Sequence, residues 1–337
     1  MNRADANVEP NAPPRALHNR TPSAEALSRA LASLDQSGPA ADAAEGDFER
    51  RRFWTPVLLF LATCLSTFYV GAMAWQPFAA SQAQILREVI GNWEQGATYM
   101  AAVLAILLTH EMGHFLQTVR YGIHASYPIF IPVPINPIGT FGAVIGMDGL
   151  RANRPQMFDI GIAGPLAGLV VALPVLYVGI LRLEPAPAQG SLIFHNSLLA
   201  EWMITSLNPK FAAHSPDFSV GIEELNPYFM AGWVGLLITS LNMMPISQLD
   251  GGHVIYTLFG RRAHVIGRIF LVGAILAMAA FDTYRWALML VLVVLIGADH
   301  PPTSNDRVAL GPLRWLLGLA SLVIPILCFP ALGLSQQ

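Results

Sequence analysis

Charge is what this sequence lacks. Only 12% of its 337 residues are charged, about half the roughly 25% usual in soluble domains. Most of that charge crowds one end. Residues 1–52 hold 15 of the 41 charged residues (7 Arg, 8 Asp or Glu), leaving 26 for the other 285. So little polar surface excludes a cytosolic enzyme and indicates a multi-pass membrane protein with a polar N-terminal tail. Lysine is almost absent, Lys210 standing against 18 Arg, a bias that fits a GC-rich bacterial genome. No basic block is present, so no nucleic-acid partner is expected. Cysteine is scarce as well. Cys64 and Cys328 each lie in an apolar stretch, which excludes a disulfide framework and a thiolate metal site. The first 52 residues have no apolar core of the signal-peptide kind, and their acidic content argues against a transit peptide. No internal repeat is evident.

What is abundant is apolar sequence, 54% of the chain. Long runs cover about 54–75, 97–119, 157–182, a stretch beginning near Tyr228, 264–281, 286–299 and 313–334. Each approaches the roughly 20 residues that a membrane helix needs. The expected fold is an all-α polytopic membrane protein with about seven transmembrane helices. Its expected parts are a disordered cytoplasmic tail (1–52), a first transmembrane helix and outer loop (53–96), a core (97–260) and C-terminal transmembrane helices (261–337). Within the tail, Thr21 as N-cap, Pro22, Leu27, Leu31 and Leu34 form one amphipathic stripe, read as a tail that frays in isolation, with a regulatory or docking helix as the alternative.

Arginine placement gives a topology. With the N-terminus in the cytoplasm and one crossing per run, inward loops carry Arg50, Arg51, Arg52, Arg120, Arg151, Arg154, Arg261, Arg262, Arg268, Arg307 and Arg314. Outward loops carry Arg87, Arg182, Lys210 and Arg285. This is the positive-inside asymmetry. Residues 123–150 are apolar but punctuated by Pro128, Pro132, Pro134, Pro137, Gly139, Gly142 and Gly146. They are expected to form an extended hairpin or re-entrant loop, since non-helical backbone at membrane depth survives only inside protein or beside a wet cavity. Residues 183–227 form a longer, more polar outer connection.

The chemistry sits in His110-Glu111-Met112-Gly113-His114. On a helix, positions i and i+4 project about 40° apart, so two imidazoles can share one zinc with the glutamate beside it. Three ionisable groups in an apolar span cost on the order of 2–3 kcal/mol each, and a metal offsets that cost. The alternative is a polar patch facing a bundle interior. A catalytic zinc takes three protein ligands, and the candidate for the third is Asp250, after Pro245 and before Gly251-Gly252. Pro245 breaks the helix and the glycines permit a sharp turn. On spacing alone Asp250 reads equally well as a helix-capping residue at a membrane boundary. His253 reads as a boundary histidine open to water, with a supporting or extra-ligand role as the alternative. His124, His195 and His214 are assigned nothing.

The pair HEMGH and LNMMPISQLDGG resembles the site-2 protease family of intramembrane zinc metalloproteases, over roughly residues 97–260. Gly139-Thr140-Phe141-Gly142-Ala143 and Ala163-Gly164-Pro165-Leu166-Ala167-Gly168 extend the likeness. These segments fit the bacterial, cyanobacterial and plastid branch without a PDZ insertion, and His300-Pro301-Pro302 with Leu310-Gly311-Pro312 point the same way. The resemblance implies that His110, His114 and Asp250 bind one zinc ion and that Glu111 is the catalytic acid/base. It also implies that Asn242 orients substrate or stabilises the oxyanion, and that 123–150 is a membrane-embedded loop beside the active site. Implied partners are single-span membrane substrates or signal-peptide remnants in a lipid bilayer, and the implied site of action is a bacterial inner membrane with the N-terminus cytoplasmic. The competing reading is a non-proteolytic zinc-binding membrane protein or transporter. Glu111 discriminates, because hydrolysis needs it and metal retention does not. Gly164 and Gly168 form a small-xxx-small pair that suits close helix approach. Oligomeric state is not legible.

Overall fold

The computed structural model describes residues 39–78, 81–147, 149–187, 192–246, 248–281, 283–296 and 300–336. It has two units, Met1–Arg52 and Phe53–Gln337, and apart from the start of the first helix the features below belong to the second. The amphipathic stripe at Leu27, Leu31 and Leu34 lies outside the described residues. Helix α1 is Pro39–Ala72, so helix begins within the segment read as a disordered tail.

The molecule is mostly helical. After α1 come α2 (Gln82–Gly91) and α3 (Trp93–Arg120), the strands β1 (Ile129–Val133) and β2 (Gly139–Val144), and α4 (Arg154–Leu181). The 183–227 connection holds β3 (Leu192–Phe194), α5 (Leu198–Leu207), α6 (Pro209–His214) and β4 (Val220–Gly221). Then follow α7 (Pro227–Asn242), α8 (Asp250–Phe259), α9 (Arg262–Ala280) and α10 (Ala287–Ile296). The chain closes with α11 (Pro312–Ser321), α12 (Ile324–Cys328) and β5 (Leu334–Gln336), which joins the 183–227 connection in a sheet of order β4-β3-β5.

Among the described residues four helices are long and apolar enough to cross a membrane: Phe53–Ala72 within α1, α3, α4 and α9. Among the described residues the other three apolar runs form shorter helices. The run from Tyr228 gives only the 16 residues of α7, which stops at Asn242 shortly before Pro245. At 1.5 Å per residue α7 is about 24 Å long, short of the roughly 30 Å hydrocarbon thickness. The last run divides into α11 and α12, with Pro325 in the first turn of the second piece.

Three helices make the core. Tyr99, Val103, Ile106 and Leu107 of α3 pack with Ala172, Leu176 and Ile180 of α4, and with Phe229, Met230, Val234 and Leu236 of α7. A helix buried on nearly every side, as α7 is, must be apolar all round. Asn226 starts it by accepting from Phe229 N at 3.0 Å, with Pro227 in the first turn. Gly113 allows α3 to meet α4, since a Cβ there would lie 2.5 Å from Ala163 O.

The Pro/Gly-rich segment forms a two-stranded antiparallel sheet with Phe130 opposite Ala143 and Val133 opposite Gly139. The register shifts between Phe130 and Pro132, a bulge that accommodates a residue with no N–H to donate. Asn136 Oδ1 closes the turn by accepting from Ile138 N and Gly139 N. Two hydroxyls pin it to neighbouring helices: Ser66 donates to Gly139 O at 2.6 Å and Tyr99 to Ile138 O at 2.7 Å.

Candidate metal centre

The site is built from three elements. His110, Glu111 and His114 lie on one face of α3, Asn242 ends α7, and Asp250 begins α8. Between α7 and α8 the described residues 243–246 and 248–249 form turns and bends. Gly251 packs so close to the Met243 carbonyl that no side chain fits. That turn brings Asp250 back against α3.

The donor atoms converge. His110 Nε2 and His114 Nε2 are 3.2 Å apart. His110 Nε2 lies 3.2 Å from Asp250 Oδ2, and His114 Nε2 lies 3.3 Å from Asp250 Oδ1. A tetrahedral zinc with ligand bonds of about 2.0–2.1 Å has ligand–ligand edges of about 3.3 Å. Two nitrogens and a carboxylate therefore stand at the separations that one zinc ion requires. These three residues form the one candidate metal cluster found among the described residues.

Two further observations fit a cation. Asp250 Oδ2 is buried with no hydrogen-bond partner among the described residues, although unpaired buried polar atoms are costly. Oδ2 lies at ion-pair distance from His110 Nε2. In addition, His114 Nδ1 lies 2.8 Å from Ile160 O. A carbonyl only accepts, so Nδ1 carries the proton and Nε2 keeps its lone pair for a metal.

α4 supplies the floor. A Cβ on Gly164 would overlap the His114 imidazole, and one on Gly168 would lie 3.1 Å from His110 Nδ1. The glycine pair thus accommodates the two imidazoles as well as the close helix approach read from the sequence.

Glu111 is 4% exposed and lines a cavity of about 140 Å3 with His110, His114, Asn242, Asp250, His253, Gln248 and Thr118. Ala143 and Val144 of β2 and the following Ile145 form another part of its wall. Asn242 Nδ2 is 3.2 Å from His110 Nε2. The structure thus brings together all five residues selected from the sequence.

His253 differs from the expectation of a water-exposed boundary residue. It is 8% exposed and its Nδ1 lies 2.5 Å from His300 Nε2. The reason is tertiary: the 300–306 segment folds over α8, which local sequence does not reveal. Arg154, read as a cytoplasmic anchor, donates from Nε to Thr257 O at 2.6 Å and from Nη2 to Leu258 O at 3.1 Å. It thereby satisfies carbonyls at the C-terminal end of α8.

A family model, Peptidase family M50, matches residues 98–280. It covers more than half of the chain, and the chain belongs to that family. Among curated proteins, the chain is 32% identical over 245 residues to the probable zinc metalloprotease EGY1, chloroplastic, of Arabidopsis thaliana, covering 68% of this chain and 42% of that one. It is 36% identical over 167 residues to the EGY1 counterpart of Oryza sativa subsp. japonica, covering 48% and 28%. It is 32% identical over 179 residues to the probable zinc metalloprotease EGY2, chloroplastic, of Arabidopsis thaliana, covering 52% and 30%. The chain spans less than half the length of these relatives. No solved structure matches it.

Proposed function

We propose that this chain is an intramembrane zinc metalloendopeptidase that hydrolyses peptide bonds in or near transmembrane segments of membrane-anchored proteins. The observation that carries the reading is the set of near-tetrahedral donor separations among His110, His114 and Asp250 with Glu111 in the same cavity. Membership of a peptidase family supports it.

His110 Nε2, His114 Nε2 and the Asp250 carboxylate would hold the ion. When bound, zinc acts as a Lewis acid toward the scissile carbonyl and the attacking water. Glu111 accepts the proton that water loses on attack and delivers it to the leaving amine nitrogen. Asn242, fixed at the end of α7, donates its amide N–H to the developing oxyanion. Burial of these groups keeps bulk water from competing for their hydrogen bonds.

A membrane helix hides its carbonyls in internal hydrogen bonds and must unwind before attack. Its freed backbone groups then need partners. β2 adjoins the cavity, and strand addition to an edge of the β1–β2 sheet supplies them. Crosslinks from a trapped substrate at strand spacing along 139–147 are expected, and crosslinks only at helical spacing elsewhere refute strand addition. Regulated cleavage of single-span proteins and clearance of signal-peptide remnants are the two substrate classes this chemistry serves.

The same reading keeps seven crossings, a cytoplasmic N-terminus, the sheet embedded on the inner side and a bacterial inner membrane. The arginine distribution supports the orientation, and cysteine labelling from each side tests it.

The deciding experiment is zinc analysis of purified wild-type and Glu111→Gln protein, each incubated with a panel of single-span substrates. Cleavage by wild type only, with equal zinc in both, is expected. Zinc in both and cleavage by neither makes the chain a non-proteolytic zinc-binding protein or transporter.

A further inference from the structure

Behind the metal centre lies a second histidine cluster that the mechanism above does not use. His300 Nδ1 lies 2.5 Å from Pro301 O, and His300 Nε2 lies 2.5 Å from His253 Nδ1. Tyr256 stacks on the His300 ring at 4.4 Å, with planes 17° apart. His264 Nε2 donates to the His300 carbonyl at 3.1 Å. Tyr256 also donates to Asp306 Oδ2 at 2.8 Å, and Thr303 to Asp306 Oδ1 at 2.6 Å. The 300–306 segment is thus held on α8 by aromatic stacking and hydrogen bonds.

Hydrogen-bond chemistry fixes the tautomers. Pro301 O can only accept, so His300 Nδ1 bears the proton. His300 Nε2 in a neutral ring is then an acceptor, and His253 Nδ1 must donate to it. Burial holds His300 neutral by pushing its pKa down to about 4, against the contact with Pro301 O. The proton of His253 is therefore on Nδ1. His253 lines the catalytic cavity, and Nε2 is the remaining polar atom of its ring, an acceptor.

An unwound peptide needs acceptors as well as donors. In an extended segment, backbone N–H groups point to both edges, and pairing with a strand of the sheet satisfies only one of them. The N–H groups on the far edge require an acceptor from elsewhere in the cavity. We propose that His253 contacts the substrate by accepting a backbone N–H at Nε2, and that His300 is the positioning residue that holds His253 in the tautomer this requires. This deepens the endopeptidase reading and rests on it.

The test uses the full chain in detergent, a cleavable single-span substrate and 15N NMR of labelled histidines. Wild-type His253 should show a protonated Nδ1 and an unprotonated Nε2. Loss of one neutral hydrogen bond corresponds to about a five- to tenfold change. His253→Leu should therefore raise KM about five- to tenfold, with kcat within about twofold and zinc content unchanged. His300→Leu should raise KM similarly and leave His253 a mixture of tautomers. His300→Gln, which keeps an acceptor, should preserve both the KM and the Nδ1–H form.

A His253 ring protonated on Nε2 in wild type overturns the proposal. So does an unchanged KM in His253→Leu, or a fall in kcat alone. If His300→Leu does not fold, the wild-type tautomer, the His253→Leu kinetics and the His300→Gln rescue still decide it. If wild type holds zinc but cleaves nothing, the endopeptidase reading and the substrate contact both fail, while an Nδ1–H signal upholds the positioning role of His300.

Discussion

Gly164 lies directly against the His114 imidazole: a Cβ built on Gly164 would overlap Nε2, Cδ2 and Cε1 of that ring. The ring is also tied through Nδ1 to Ile160 O at 2.8 Å. The proposed metal ligand His114 is thus held by the absence of a side chain on the helix opposite and by a carbonyl four residues earlier on that same helix.

Gly164→Ala should therefore displace the His114 ring and lower zinc affinity by about 10- to 100-fold, the range found for groups that orient ligands. Gly168→Ala places its Cβ 3.1 Å from His110 Nδ1, a milder crowding, and should cost less. Zinc competition with a chromophoric chelator measures both. Equal affinity for Gly164→Ala and wild type would contradict the packing account.

Asp250→Asn keeps the shape of the side chain and removes its charge. The neutral amide is a poor zinc ligand beside two imidazoles. Elemental analysis after dialysis should find zinc largely lost, with cleavage lost in parallel. Glu111→Gln should keep the metal. Removing zinc from wild type with a chelator should abolish cleavage, and adding zinc back should restore it.

Arg314 on α11 grips Asp159 on α4 through two hydrogen bonds of 2.8 Å, from Nε and Nη2. Such bidentate pairs are geometrically specific. Tyr121 donates to the same carboxylate. Arg314→Ala should destabilise the fold by about 1.5–2 kcal/mol, the low end of the range for hydrogen bonds to charged groups, and lower Tm by a few degrees. A Tm measurement in detergent checks this, with zinc content expected to stay unchanged.

Stability should fall on the acid side through His300. Its folded pKa is depressed to about 4 from an ordinary value of about 6.5. The unfolded chain gains a proton at this position below about pH 6.5, whereas the folded protein does not until about pH 4. The contribution is complete above the unfolded value and is lost as pH falls through that window. His253, His264, Tyr256 and Asp306 surround the ring, and His253 shares in the effect. Between pH 7.5 and 5, Tm should drop further for wild type than for His300→Gln. Equal drops would show that His300 does not resist protonation in the fold.

Much of the centre was legible because its signals are local. His110 and His114 share a helix face through a four-residue spacing, and three ionisable groups inside an apolar run are conspicuous. Pro245 ahead of Asp250 marked the helix break. The density of Pro and Gly over 123–150 excluded a straight helix there, and a sheet occupies part of that segment. Of the seven expected spans, four have helices long and apolar enough to cross a membrane among the described residues. Hydropathy registers apolar residues but not where α7 stops, or whether 313–334 makes one helix or two. His253 was misjudged because its partner lies 47 residues away, and no periodicity or local motif links the two.

By itself the sequence determined that this chain is apolar enough for a membrane, which side chains have metal-binding chemistry, and which helix carries two of them. Those properties follow from composition and from spacing within one turn. Only the tertiary structure decided that Asp250 reaches the two imidazoles at 3.2 and 3.3 Å, that the glycines of α4 accommodate those rings, and that His300 fixes His253. Each of these is a distance between segments remote in the chain, set by how α3, α4, α7 and α8 pack. Residue identity fixes the chemistry of a group, and packing fixes what that group meets.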